Sequence, residues 1–287
     1  MRRRRYCISC AQVALLTIPL PVLAGPAPRP GGQTGLAEQV VPSTGHSSRI
    51  TFGNALVKLS RAGVIDRRKL EALYTGAGGA ATDLRLILDQ PWPAPIRITA
   101  RNAQLYVNLL WPLGLANRMT SNRSSPLNGP ERSTFASTGG WTLGRAPDGA
   151  IYFNAWPIVP LDAQQEALVT RVAQHTFRPC CNNSTFFQDC NHGSALLGLL
   201  ALGASQGLTE DGLYREALAF NAFWFPAQYT QMALYFKLVK GTEWRSVDPR
   251  TALAAAYSSA AGLRETVLRP LQDRGLVPAP GADRCST

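Results

Sequence analysis

Cys190-Asn-His-Gly-Ser-Ala-Leu-Leu-Gly-Leu-Leu-Ala-Leu-Gly-Ala204 reads as the start and body of one helix that begins about Asn191. From Ser194 onward the run is apolar on nearly every side, and a helix without a polar face must be buried within the fold. It is too short to span a bilayer, which takes roughly 20 apolar residues. Gly198 and Gly203 would let neighbouring helices approach closely. A buried helix needs other helices around it, and the sequence supplies them.

Working outward, Leu161-Asp162-Ala-Gln-Gln165 matches a capping-box helix start, and Ala167, Leu168 and Val172 carry its apolar stripe toward His175. Apolar spacing over Leu56, Leu59, Ala62, Ile65, Leu70 and Leu73 predicts two short helices joined near Gly63, with Asp66 capping the second. Leu105, Leu109, Leu110 and Leu113 predict another over 102–117, bent or ended by Pro112. Residues 211–225 and 227–240 follow as aromatic-rich helices, and Asp248-Pro249 starts a last one reaching Leu271. The Asp148-Gly149 pair suits a tight turn, so residues 141–153 are expected to form a hairpin. The fold class is therefore mainly α, a single helical domain with a minor β-hairpin.

The chain of 287 residues is 45% hydrophobic and 16% charged, the balance of a protein that buries a core. Its net charge of +11 owes four charges to Arg2–Arg5, without which 25 basic residues face 18 acidic ones. The remaining excess is scattered and is not interleaved with stacking aromatics, so no nucleic-acid partner is expected. Arg2–Arg5 followed by the apolar run Ala11–Leu23 and the small residues at Val22-Leu23-Ala24 form an export signal over 1–24, cleaved before Gly25. The arginine run with Tyr6 also resembles the twin-arginine export motif, which carries folded and often cofactor-loaded proteins. Residues 25–48 read as a flexible linker holding a solvated His46, 49–276 as the helical domain, and 277–287 as a loose tail. The expected location is the periplasm or the exterior of a bacterium, with no transmembrane segment in the mature chain.

The chemical signal lies immediately before the apolar helix. His175-Thr-Phe-Arg-Pro-Cys180-Cys181-Asn-Asn-Ser-Thr-Phe-Phe-Gln-Asp189-Cys190-Asn-His192 gathers three of the six cysteines and two of the three histidines. Thiolate and imidazole are the ligands that zinc, copper and iron–sulfur centres prefer. Pro179 disfavours continuation of the preceding helix, placing Cys180 and Cys181 in a loop, whereas Cys190 and His192 sit at a helix start whose free N–H groups favour a thiolate. Cys180, Cys181, Cys190 and His192 are the expected metal ligands, with His175 in reserve. Adjacent cysteines fit awkwardly on one tetrahedral ion, which favours a polynuclear centre or a division of labour between them.

Two other readings share these residues. In an oxidising compartment Cys180 or Cys181 would pair with Cys190 and the other with Cys285, leaving a disulfide-stapled binding module. Alternatively a cysteine activated by histidine would make a hydrolase or transferase. His192 separates the readings, because a disulfide has no use for it. Phosphate loops, nucleophile elbows and zinc-protease motifs are absent from the sequence, so no reaction is specified.

Overall fold

The computed structural model describes residues 30–74, 86–139 and 143–278. The export signal, Cys7, Cys10, Trp141 and Cys285 lie outside them. The described chain is mainly α, as expected. Helix α1 (Pro30–Val40) leads into strand β1 (His46–Gly53), then α2 (Ala55–Arg61) and α3 (Arg67–Leu73). Asp66 caps α3 by accepting from the Lys69 amide at 3.0 Å. The linker expected over 25–48 is thus structured from Pro30. Leu36 and Val40 bury against the core, giving the segment a reason to order that its Pro and Gly content concealed.

The minor sheet consists of β1 and β2 (Trp92–Ile98), antiparallel, with His46 opposite Ile98. Ile50, Phe52, Ile96 and Ile98 point into the core. Residues 143–153 do not form the expected hairpin. Asp148 instead accepts from the Ala150 amide at 2.8 Å and caps a 3-10 turn over Gly149–Tyr152, so the Asp-Gly pair is spent on a helix start.

Helix α4 (Ala103–Ala116) runs on through Pro112, which neither ends it nor stops its burial. Pro in a helix interior costs about 3 kcal/mol. Leu109, Leu110, Trp111, Leu113 and Leu115 are buried around it, and burial of each such side chain returns about 1.5–3 kcal/mol. Helix α5 (Ala163–His175) starts with the expected capping box, Asp162 accepting from the Gln165 amide at 2.8 Å and Gln165 accepting from the Asp162 amide at 3.0 Å.

Helix α6 (Asn191–Ser205) is buried from Gly193 to Ala204 and packs most closely against α4. The contact is made by glycines: a Cβ at Gly198 would lie 2.5 Å from the Leu110 carbonyl oxygen, and one at Gly114 would overlap the Ser194 carbonyl. Ser194 Oγ donates to the Trp111 carbonyl at 3.0 Å across the same crossing. The N-terminus of α6 is fixed by this contact.

Helices α7 (Glu210–Trp224), α8 (Pro226–Val239) and α9 (Pro249–Leu253) complete the packing. The last helix expected through Leu271 is broken into short turns after Leu253 and includes a π-helical stretch, Leu263–Leu268. The interruption at Ser259 has a cause. Ala260 donates to the Cys181 carbonyl at 2.9 Å and Ala261 to Asn182 Oδ1 at 2.7 Å, so backbone groups there serve the cysteine loop rather than a continuous helix. No described helix is long and apolar enough to cross a membrane.

Candidate metal centre

The loop between α5 and α6 is pinned at several points before any sulfur is considered. Phe177 donates to the Leu253 carbonyl at 2.8 Å, Thr185 to Thr176 at 2.9 Å and Phe186 to Ala173 at 3.1 Å. Gln188, fully buried, places its side-chain amide 3.0 Å from the same Ser194 Oγ. Loop closure is therefore tied to the α4–α6 crossing.

At the centre of the loop lies Arg178, whose side chain is completely buried. Its guanidinium donates to the Asn183 carbonyl at 2.8 Å, the Phe187 carbonyl at 3.3 Å and Cys190 Sγ at 3.2 Å, and it pairs with Asp189 Oδ1. Asp189 Oδ2 accepts from Asn183 Nδ2 at 2.8 Å. Gly193 makes room for the guanidinium, since a Cβ there would lie 2.5 Å from Arg178 Cζ. A buried charge needs this many partners, because each unpaired donor would cost on the order of 1–3 kcal/mol.

Cys190 is the N-cap of α6. Its backbone is extended and its Sγ accepts from the Gly193 amide at 3.3 Å. Cys180, exposed, brings its Sγ to 3.5 Å from Cys190 Sγ. Cys181 turns the other way, with Sγ 3.7 Å from Asp189 Oδ1 and 3.9 Å from the Asn183 carbonyl. His192 packs its ring on Phe225 at 4.6 Å between centroids and edge-on to Trp224 at 5.9 Å. The aromatic run at the end of α7 thereby orients an imidazole as well as filling the core.

Two groups of ligand atoms result, each mutually within 4.8 Å: Cys180, Cys190 and His192, and Cys181, Asp189 and Cys190. Cys190 belongs to both. The adjacent cysteines are divided between them, as steric difficulty at one ion suggested. His175 joins neither group; it is exposed in the last turn of α5, its Nδ1 2.8 Å from the Arg171 carbonyl oxygen.

The charge is unevenly shared among the sulfurs. Hydrogen bonds from Cys180 and Cys181 outweigh burial at Cys190 and, with the Arg178 guanidinium and a bond from His192, hold its thiol well below the usual range. The same bonds to Cys181 and Cys190, together with burial, raise Cys180. At Cys181 the bond from Cys180 pulls downward, but its bond to Cys190 and its burial push it up to about 12. Burial raises the Asp189 carboxyl against the pull of Arg178. Of the three sulfurs Cys190 is the one whose surroundings favour a thiolate, with a guanidinium and a helix N-terminus behind it.

This set can hold a soft cation. A tetrahedral site with zinc–sulfur bonds of 2.3 Å separates its sulfurs by about 3.8 Å, close to the 3.5 Å between Cys180 and Cys190. Two thiolates would balance a divalent ion, with Asp189 paired to Arg178. The Arg178 and Gly193 N–H groups on Cys190 are the outer hydrogen bonds that fix a ligand's direction.

Arg178 is the residue of this cluster that the sequence pattern did not single out. Its signal was present: it is the only Asp, Glu, Lys or Arg between Arg171 and Asp189, in a segment flanked by Phe and Pro. Comparisons with protein-family models, with curated proteins and with solved structures return no match.

Proposed function

We propose that the protein is an exported bacterial metal-binding protein whose centre holds a zinc or copper(I) ion through Cys180, Cys190 and His192. The observation that supports this most is the convergence of two sulfurs and an imidazole within 4.8 Å of one another at a helix N-terminus. Cys181 and Asp189 flank the ion on the other side of Cys190. An iron–sulfur cluster is less suited to these residues, because it takes its four ligands on two or more irons, whereas the ligand atoms of Cys180, Cys190 and His192 converge within 4.8 Å of one another. The export part of the reading rests on Arg2–Arg5 and the apolar run that follows.

The test is elemental analysis of protein recovered from its own compartment, with its N-terminus read by mass spectrometry. One equivalent of zinc or copper is expected, lost in Cys190→Ser and in His192→Ala, and cobalt substitution should give the intense thiolate-to-metal absorption of a tetrahedral site. The expected N-terminus is Gly25. Metal-free protein that takes up no cobalt would overturn the centre, and an intact Met1 in a cytoplasmic fraction would overturn export.

A further inference from the structure

The sulfurs assigned to the ion are also placed to react with each other. Cys180 and Cys190 stand 3.5 Å apart, and a disulfide bond is about 2.05 Å, so closure takes about 1.5 Å of sulfur movement. Cys180 is exposed and lies in a loop, where side-chain rotation can supply that movement. Cys190 lies behind it, fixed by the Arg178 Nε–H and the Gly193 amide. Cys181, one residue away, is directed to Asp189, and its carbonyl is held by Ala260. The 3.5 Å contact and its exposure therefore favour Cys180 over Cys181, whose Sγ also lies within 4.8 Å of Cys190 Sγ.

We infer that the centre is a redox-releasable metal site, in which a low-molecular-weight disulfide converts Cys180 and Cys190 into an intramolecular disulfide and expels the ion. This inference rests on the metal reading above. The Cys180 thiolate attacks one sulfur of the disulfide RSSR, forming a mixed disulfide as the first RS⁻ leaves. The Cys190 thiolate then attacks the Cys180 sulfur, forming the Cys180–Cys190 bond as the second RS⁻ leaves. Two electrons pass from the cysteine pair to RSSR, and the ion keeps only His192 of its three protein ligands. The loop does not depend on the lost thiolate alone: Arg178 retains Asp189 and the carbonyls of Asn183 and Phe187.

The experiment uses the full chain loaded with zinc and exposed to oxidised glutathione, with released zinc followed by a chromogenic chelator and disulfides located by peptide mapping without reduction. One zinc is expected to leave for each Cys180–Cys190 disulfide formed, and dithiothreitol should restore binding. Normal zinc loading followed by a Cys181–Cys190 linkage, by a persistent glutathione adduct, or by retention of zinc after Cys180–Cys190 closure would overturn the release and leave the metal reading intact. Failure to load zinc at the outset would overturn the metal reading and release together, and is recognised before any oxidant is added.

Discussion

Arg178 and Glu216 are both charges carried into the interior, with side-chain exposures of 0% and 5%, and their surroundings dispose of the charge in different ways. Glu216 on α7 is met by His46 Nε2 at 2.9 Å and by the Arg49 amide at 2.9 Å, which ties the helix to β1. Neither Glu216 nor His46 belongs to a group of converging ligand atoms, and the result is a structural tie. Arg178 is met by a carboxylate, a sulfur and two carbonyls, and the sulfur also faces Cys180 and a neighbouring imidazole. A buried charge marks a candidate site when its counter-groups converge as ligand atoms, and of these two it is the Arg178 cluster that does so.

The sharpest way to break this comparison is to remove a counter-ion from the Arg178 cluster. Asp189→Asn keeps the shape but leaves a buried guanidinium facing an amide, and loss of one partner of a buried pair costs about 3–5 kcal/mol. Chemical denaturation should show the midpoint moving to lower denaturant with the slope unchanged. A loss below about 1 kcal/mol would mean that Cys190 alone neutralises Arg178, and the cluster would then have less anionic capacity to offer an ion.

The difference between the two charges also explains what could be read from the sequence. The capping box at Asp162, the cap at Asp66 and the buried character of α6 are local signals carried by a few adjacent residues, and each appears where its pattern placed it. The density of cysteine and histidine was equally local. Burial of Arg178 was not, because it depends on Gly193, Asp189 and two loop carbonyls meeting after the chain has turned back on itself. His46 looked solvated for the same reason: its partner Glu216 is 170 residues away. The Asp148-Gly149 pair misled because both a tight turn and a helix cap favour Asp there, and only the tertiary setting chooses between them.

A smaller effect is expected at the other charge. Burial pushes the Glu216 carboxyl up, but hydrogen bonds from His46, the Arg49 amide and Ser48 outweigh it, and the group titrates below its ordinary value of 4.5. A carboxyl whose folded value is depressed contributes stability that is present above the unfolded value and is lost as pH falls through the folded one. Stability of the native chain should therefore decline in acid below about pH 4.5. Glu216→Gln should lower stability near neutrality by about 1.5–3 kcal/mol, the usual worth of a hydrogen bond to a charged group, and should flatten the acid limb. Thermal unfolding of both chains between pH 3 and 7 measures this, and an acid limb unchanged in the variant would move the effect to other carboxylates. Metal content should be the same in both, since neither His46 nor Glu216 belongs to the ligand groups.

The smallest effect separates two histidines that the sequence presents almost symmetrically, one on each side of the cysteine loop. His192 stands in the first turn of α6, held between Trp224 and Phe225 with a ring nitrogen near Cys180 and Cys190. His175 ends α5 exposed, with Nδ1 committed to the Arg171 carbonyl. An exposed substitution at such a position usually changes stability by no more than about 0.5 kcal/mol. His175→Ala should accordingly leave metal stoichiometry and the cobalt spectrum unchanged, whereas His192→Ala loses both. Loss of metal in His175→Ala would require the last turn of α5 to unwind so that its imidazole reaches Cys180. That would break the Arg171 carbonyl contact and transfer the third ligand from α6 to α5, so the site would belong to the loop's other end.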